Sequence, residues 1–145
     1  MIRVVVQSEP IDIAAEHVAA EQADAGAVAS FTGLVRGDDG VTELALEHYP
    51  GATERALTEL CEQAVARWSL AGATVVHRVG PMVPGDRVVF VATTARHRGA
   101  ALEACAFLID RLKTCAPFWK RERRGAAATW VEARDSDTMA AERWR

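Results

Sequence analysis

The segment LKTCAPFWKRE, residues 112–122, contains both lysines of the chain, Lys113 and Lys120, seven positions apart. Lysine and arginine together number 17, so arginine supplies nearly all of the other positive charge. Arginine stays protonated in proteins, whereas a lysine amine among other cations can lose its proton and act as a base, an acid or a nucleophile. The confinement of lysine to one segment therefore predicts a chemical role for both amines. Solvated surface positions are the alternative.

Pro117 divides this segment into two structural elements. Proline lacks a backbone donor and disfavours a helical conformation of the preceding residue, so the helix that carries Lys113 should end just before it. Phe118 and Trp119 begin an alternating pattern typical of a strand, which places Lys120 on that strand. Such a turn can direct both amines into one cleft. One of the two rings is expected to form an aromatic wall there, with core packing as the alternative.

Composition restricts the class of protein. Half of the 145 residues are apolar, enough for a single globular domain over residues 1–145. The net charge of −3 argues against a general nucleic-acid or membrane-surface binder, so a small anion or an acidic tail is the expected partner of the basic segment 111–124. Three cysteines without CxxC spacing, and an N-terminus without a targeting or membrane-spanning pattern, predict a cytoplasmic protein.

Strand and helix patterns alternate along the rest of the chain. Their order, β-α-β-β-α-β-β-α-β-β, is typical of an α+β fold with mostly antiparallel sheets and about three helices. The strands at 26–35 and 42–49 flank a turn cluster and are predicted to form a hairpin. The remaining predicted elements are a strand at 2–6, a helix that starts at 8–10, a helix at 52–70, strands at 74–79 and 87–94, a helix at 95–115, strands from 118 and at 130–134, and a polar tail at 135–145.

Two further groups of cations are candidates for ligand binding. Arg36 lies at the mouth of the predicted hairpin, where a solvated edge charge is the alternative. Arg96, His97 and Arg98 lie beside the positive end of the last long helix, which is unfavourable unless an anion binds there or the side chains extend into water. No metal site is expected, because the four histidines form no HxxxH or HxH pair.

Short motifs occur in a fixed order along nearly the whole chain. They are FTG at 31–33 with VR at 35–36, LEHYPG at 46–51, HRVG at 77–80, GD at 85–86, HR at 97–98, LKT at 112–114, PFWK at 117–120 and WVEA at 130–133. Each motif alone is weak, but the ordered set resembles the large, catalytic subunit of molybdopterin synthase, the MoaE family. The resemblance implies a hammerhead-like α/β arrangement within the α+β class.

The resemblance also implies a reaction and its partners. The family transfers sulfur from the C-terminal thiocarboxylate of a small ubiquitin-like carrier to cyclic pyranopterin monophosphate, which forms the dithiolene of molybdopterin in molybdenum cofactor biosynthesis. A homodimer flanked by two carriers, whose Gly-Gly tails enter the active sites, gives a heterotetramer without a bound cofactor or metal. By motif, the implied substrate contacts are Leu34, Val35, Arg36, His97, Arg98, Lys113, Lys120, Arg121, Glu122 and Arg134.

These positions fit the chemistry of their side chains. Arg36, His97 and Arg98 can hold the substrate phosphate through charge-assisted hydrogen bonds. Lys113 and Lys120 can orient the thiocarboxylate and assist proton transfer as sulfur attacks the pterin carbon. The sequence leaves open which lysine acts as the acid and which as the base.

The spacing of two implied contacts predicts an active site shared between subunits. Along one continuous helix, Arg98 and Lys113 are about 22 Å apart at 1.5 Å per residue, too far for one phosphate to contact both. We therefore expect each site to take Lys113 and Lys120 from one subunit and His97 and Arg98 from its partner. A helix break near Gly99 is the alternative.

Two alternatives concern the chemistry of the basic cleft. A non-catalytic module that binds an acidic tail or a nucleotide would also need such a cleft, and turnover would distinguish it from an enzyme. Cys115 could carry a persulfide, but the resemblance implies that sulfur arrives on the carrier. Cys115 is therefore expected to be a small buried hydrophobic residue.

Overall fold

The computed structural model describes residues 1–125, 127–131 and 135–144, and it contains eight strands and four α-helices in that part of the chain. The strands are β1 (Ile2–Gln7), β2 (Ala27–Leu34), β3 (Glu43–His48), β4 (Gly72–Arg78), β5 (Gly80–Met82), β6 (Arg87–Ala95), β7 (Phe118–Arg124) and β8 (Ala127–Val131). The helices are α1 (Ile13–Ala20), α2 (Ala52–Trp68), α3 (Arg98–Cys115) and α4 (Asp135–Glu142).

The strands form two four-stranded sheets. Sheet A has the order β1-β4-β6-β2, in which β1 and β4 are parallel and the other pairs are antiparallel. Sheet B has the order β5-β3-β7-β8 and is antiparallel throughout. The predicted α+β class with mostly antiparallel sheets is confirmed.

The predicted hairpin of residues 26–35 and 42–49 is wrong. Both strands exist, but β2 pairs with β6 in sheet A, whereas β3 pairs with β5 and β7 in sheet B. The intervening loop crosses from one sheet to the other, and Val35 at its start and Val41 near its end are both buried. Alternation predicts that a segment is a strand, but the pairing partner depends on contacts with distant segments.

Two helix starts also differ from the predicted positions. Helix α1 begins at Ile13 rather than at residues 8–10, because the Asp12 carboxylate caps it by accepting a hydrogen bond from the Ala15 N–H at 3.1 Å. Helix α3 begins at Arg98 rather than near 95, because Ala95 is still paired with β2. It then continues without interruption to Cys115, so no break occurs near Gly99.

The main hydrophobic core lies where α2 and α3 pack on sheet A. The inward stripe predicted for α3 is confirmed, because each of its members is buried. These residues are Ala101, Cys105, Leu108 and Leu112. Helix α1 covers a second, smaller core around Val76 and Phe90. The polar tail contains α4, and behind it the Trp144 indole donates a hydrogen bond to the Asp110 carboxylate at 2.7 Å.

A fully buried hydroxyl joins three segments of the fold. The Thr53 hydroxyl, in the first turn of α2, donates a hydrogen bond to the Pro117 carbonyl at 2.9 Å. It also accepts one from the Tyr49 N–H at 3.0 Å. The end of β3, the start of α2 and the corner between α3 and β7 are therefore held at one point.

Removal of this hydroxyl should destabilise the protein. We expect Thr53→Val to lower the free energy of unfolding in urea by roughly 1–3 kcal/mol, because it leaves the Tyr49 N–H and the Pro117 carbonyl without the partner that the buried Thr53 hydroxyl supplies. The matched control is Thr58→Val on the same helix, whose hydroxyl bonds only to the Glu54 carbonyl at 2.8 Å. Its cost should stay within about 0.5 kcal/mol. Equal effects of the two substitutions would contradict the proposed role of Thr53.

Candidate active site

A cavity of about 670 Å³ is lined by strands of both sheets. Its walls come from β2, β4 and β6 of sheet A, β3 and β7 of sheet B, the loop at 35–41 and the C-terminal turn of α3. Six of the ten residues implied by the resemblance line it. They are Leu34, Val35, Arg36, Lys113, Lys120 and Glu122.

The two lysines reach this cavity from the two sides of the Pro117 corner. Helix α3 ends at Cys115, so Lys113 lies in its last turn, as predicted. Lys120 is the third residue of β7, also as predicted. Because the corner is short, an amine from a helix and an amine from a strand enter one cavity.

Strand alternation determines which residues of β7 face the cavity. Lys120 and Glu122 line it, and they lie opposite Leu46 and Leu44 of β3, which line it too. Arg121, between them, does not line it, since successive side chains of a strand point to opposite faces. The structure therefore brings Lys120 and Glu122 together and places Arg121 on the other face of sheet B.

The loop after β2 is redirected by a bulge. The register between β2 and β6 shifts between Gly33 and Leu34, and such a bulge changes the direction in which the following side chains point. Leu34 is exposed and Val35 is buried, yet both line the cavity together with Arg36. The Val35 N–H donates to the Asp86 carbonyl at 2.9 Å, which anchors this wall to the turn before β6.

Arg124 connects the loop to β7, and the sequence reasoning missed it. Its Nε donates to the Asp39 carbonyl at 2.8 Å, and its Nη2 pairs with the Glu122 carboxylate at 2.9 Å. Asp39 has a left-handed conformation with φ of 59°, so this hydrogen bond holds an unfavourable turn. The continued alternation from Lys120 through Glu122 was the signal that could have identified Arg124 as a cavity residue.

The aromatic wall comes from Phe118 rather than Trp119. Phe118 lines the cavity and stacks on His77, with 4.1 Å between the ring centroids and 25° between the planes. Trp119 points to the other face of sheet B, where its ring contacts Tyr49 edge-on at 4.1 Å between centroids. Alternation assigns the two neighbouring rings to opposite faces.

His77 is a second cavity residue that the sequence reasoning missed as a site residue. It is buried, and its Nδ1–H donates to the Arg78 carbonyl at 2.9 Å. Burial lowers the pKa of His77 from 6.5 to about 4; the hydrogen bond to Arg78 opposes this shift, and the charges of Lys113 and His48 add to it. The ring is therefore neutral near pH 7.

Arg98 and His97 lie at the opposite end of α3 from Lys113 and do not line the cavity. Both are exposed, as is Arg96, and the first turn of α3 contains no acidic residue. Because α3 is continuous, the separation of about 22 Å between Arg98 and Lys113 stands. Arg134, the remaining implied contact, lies outside the described residues.

Two other expectations concern reactive side chains. Cys115 is exposed rather than buried, which corrects the prediction, because α3 ends there and the chain turns outward. It does not line the cavity. Among the described residues, no group of three or more His, Cys, Asp or Glu side chains could hold a metal ion.

Comparisons with known proteins are consistent with this arrangement. The MoaE protein family model matches residues 6–115. A molybdopterin synthase catalytic subunit from Yersinia pestis is 51% identical over 146 residues, covering 98% of this chain and 97% of that protein. The chain belongs to the MoaE family. This confirms the resemblance inferred from the ordered motifs.

Solved structures of the family share the fold. The molybdopterin biosynthesis MoaE protein from Burkholderia ambifaria MC40-6 is 44% identical with a TM-score of 0.87, covering 99% of this chain and 98% of that one. Molybdopterin synthase from Staphylococcus aureus is 30% identical with a TM-score of 0.82, covering 90% and 96%. None of the helices in the described part of the chain has the length and apolar character to cross a membrane.

The neutral state of His77 predicts a specific pH dependence of stability. Between pH 6.5 and 4 the His77 ring binds a proton in the unfolded chain but stays neutral in the folded protein. The free energy of unfolding should therefore decrease as the pH is lowered through this window. At pH 4 the loss should reach about 3 kcal/mol relative to pH 7. His77→Gln should remove this contribution from urea unfolding curves, whereas His97→Gln, at an exposed histidine, should not. A His77→Gln curve with the same pH dependence as the wild type would contradict burial as the cause.

Proposed function

We propose that this chain transfers sulfur from the C-terminal thiocarboxylate of a small ubiquitin-like carrier to cyclic pyranopterin monophosphate, which forms the molybdopterin dithiolene. The observation that carries the proposal is the convergence of Lys113 and Lys120, from two different elements, on one cavity. Membership of the MoaE family supports the same reaction.

The cavity suits two anionic reactants. Arg36, Lys113 and Lys120 supply positive charge for the thiocarboxylate and the phosphate, while Phe118 supplies an apolar wall for the flat pterin. In each transfer a carbon–sulfur bond forms and a carbon–oxygen bond breaks on the pterin side chain. The carbon–sulfur bond of the thiocarboxylate breaks, its carbon takes up one oxygen, and the carrier leaves as its carboxylate without any net oxidation or reduction. The lysines orient the thiocarboxylate and move the protons, and no cofactor is needed for this exchange.

The carrier tail is proposed to enter the cavity from the surface. Leu34, which lines the cavity, is 56% exposed, so this wall is accessible to an extended chain. Two sulfurs are required for one dithiolene, so two carriers must deliver them. We propose that residues 1–145 act as one catalytic domain for this reaction.

We place the protein in the cytoplasm on the basis of its thiols. All three cysteines are free. Burial raises the pKa of Cys61 to about 12 and that of Cys105 to about 11, which keeps both protonated. Free thiols of this kind are typical of a reducing compartment.

A second copy of the chain is proposed to complete the site. His97 and Arg98 are about 22 Å of helix away from Lys113, and the helix is unbroken. Two-fold symmetry can bring the start of α3 from one subunit to the cavity of its partner. Each of the two sites in the dimer would then combine Lys113 and Lys120 with the partner's phosphate-binding cations. With one carrier per site, the assembly is a heterotetramer.

Replacement of either lysine by arginine tests the chemical role of the amines. We expect Lys113→Arg and Lys120→Arg each to lower turnover by at least about 100-fold, since the charge is kept but a compact, deprotonatable amine is lost. The assay supplies thiocarboxylated carrier and the cyclic precursor and measures dithiolene product. The matched control is Arg123→Lys on the outer face of β7, which should stay close to the wild-type rate. Near-normal turnover by both arginine variants would exclude amine chemistry.

Mixed dimers test the shared site. Arg98→Ala and Lys113→Ala homodimers should each be inactive, whereas their mixed dimer carries one intact and one doubly damaged site and should recover about half of the wild-type activity. Mixing Lys113→Ala with Lys120→Ala is the control, because both lysines come from one subunit and every site stays damaged. Verified mixed dimers of the first kind without activity would show that Arg98 and Lys113 act within one chain.

A further inference from the structure

The tip of the loop between β2 and β3, residues 38–40, is attached to β7 by the Arg124 side chain. All three tip residues are exposed, and Asp39 has a left-handed backbone conformation. Within the tip, the Val41 N–H donates to the Asp38 carbonyl at 3.4 Å, which is a long hydrogen bond. In the described part of the chain, the bond from Arg124 Nε to the Asp39 carbonyl at 2.8 Å is the only hydrogen bond that joins the tip to another element.

The two ends of this loop are anchored independently of Arg124. At its start, the N–H and the carbonyl of Val35 are both hydrogen-bonded to the turn at 85–86, each at 2.9 Å. At its end, the N–H and the hydroxyl of Thr42 both donate to the Arg123 carbonyl, at 2.8 and 3.1 Å. Loss of the Arg124 side chain should therefore release the tip and leave both ends of the loop in place.

Glu122 fixes the direction of the Arg124 guanidinium. Its carboxylate pairs with Nη2 at 2.9 Å, while Nε is the atom that donates to the Asp39 carbonyl. A planar guanidinium that is bound through two different nitrogens cannot rotate without losing one of the two bonds. The Glu122 side chain is only 13% exposed and lines the cavity together with Arg124, so the pair lies in the wall rather than in open solvent.

The loop tip also contains the ion-pair partner of Arg36. An Asp38 carboxylate oxygen lies 3.8 Å from Arg36 Nε, and both residues line the cavity. Because both side chains are exposed, this pair orients Arg36 only weakly unless the carboxylate is itself held in place. Asp38 is the neighbour of Asp39, so the bond between Arg124 and Asp39 restricts the carboxylate that faces Arg36.

We propose that Glu122 and Arg124 are positioning residues for Arg36. Glu122 holds the Arg124 guanidinium, which holds the loop tip. Asp38, in the tip, then orients Arg36 in the cavity. Glu122 therefore acts through Arg124, in contrast to the direct substrate contact that the resemblance implies. The attachment of the tip is independent of the reaction, whereas its consequence for catalysis rests on the proposed function, in which Arg36 holds the pterin phosphate.

Limited proteolysis measures the attachment of the tip without turnover. Trypsin cleavage after Arg36, located by mass spectrometry, requires the loop to open locally. Arg124→Met and Glu122→Met each remove the ion pair, so each should accelerate this cleavage by about 10-fold, and the double variant should be no faster than the faster single variant. Cleavage after Arg67 in α2 reports general loss of stability, so the ratio of the two rates isolates the loop. Arg123→Met, on the outer face of β7, is the matched control and should keep the wild-type ratio.

Two proteolysis results would overturn the attachment. One is an unchanged rate of cleavage after Arg36 in Arg124→Met. The other is an equal acceleration after Arg36 and after Arg67, which would mean that the variant is damaged throughout.

Kinetics test the link from the tip to Arg36. Arg124→Met and Glu122→Met should each raise KM for the cyclic precursor by about 10-fold and change kcat by less than about 3-fold, because the two lysines are untouched. Asp38→Ala should raise KM to a similar extent in the wild-type protein and have no further effect in Arg124→Met. Arg124→Lys keeps the charge but lacks the planar fork that reaches both partners, so it should resemble Arg124→Met.

The signs of these effects separate positioning from simple electrostatics. If the two residues acted only through their charges on an anionic substrate, Arg124→Met would raise KM and Glu122→Met would lower it. That result would overturn the proposal. An increase in KM confined to Glu122→Met would also overturn it, since Glu122 would then contact the pterin directly. If the wild-type protein forms no dithiolene, the proposed function fails, whereas cleavage after Arg36 still decides whether Glu122 and Arg124 hold the loop.

Discussion

The geometry of the site depends on one buried hydroxyl. Pro117, at the corner between α3 and β7, has no N–H, so its own backbone can be held only through its carbonyl, and Thr53 donates to that carbonyl. The same hydroxyl accepts a hydrogen bond from the Tyr49 N–H, so the corner is also attached to the end of β3, the strand that pairs with β7. The relative placement of the two lysines, one on each side of the corner, follows from this attachment.

Local chemistry made part of this structure predictable. Pro117 determined where α3 ends, and the inward stripe of α3 followed from helical spacing. The pairing of strands was not predictable in the same way. Residues 26–35 and 42–49 carry strand patterns and a turn cluster between them, yet the loop connects two different sheets. Periodicity describes one segment at a time, whereas pairing depends on which distant segment covers each edge.

Site residues were predictable where they lie close together in the sequence. They were not predictable where the fold brings distant residues together. Lys113 and Lys120 were identifiable because lysine occurs nowhere else in the chain. In the sequence His77 looks like an ordinary core histidine, because its place in the cavity wall depends on stacking against Phe118, forty-one positions later. Arg121 is the opposite case, a residue that the sequence motif included in the site but the fold places outside the cavity. A motif places it beside Lys120 in sequence, but the alternation of β7 turns it to the other face of the sheet.

The long-range pairing of β3 with β7 also orders the events of folding. All strands of sheet A lie within the first 95 residues, but sheet B must wait for β7, where Glu43 pairs with Arg123, eighty positions away. Until then β3 has only the three-residue β5 as a partner, and so short a pair is marginal by itself. A nascent chain that stops at residue 115 holds every strand of sheet A and all of α3, but it lacks β7 and with it one wall of the cavity. We therefore expect the cavity to form late in folding, because closing the long loop between β3 and β7 costs chain entropy.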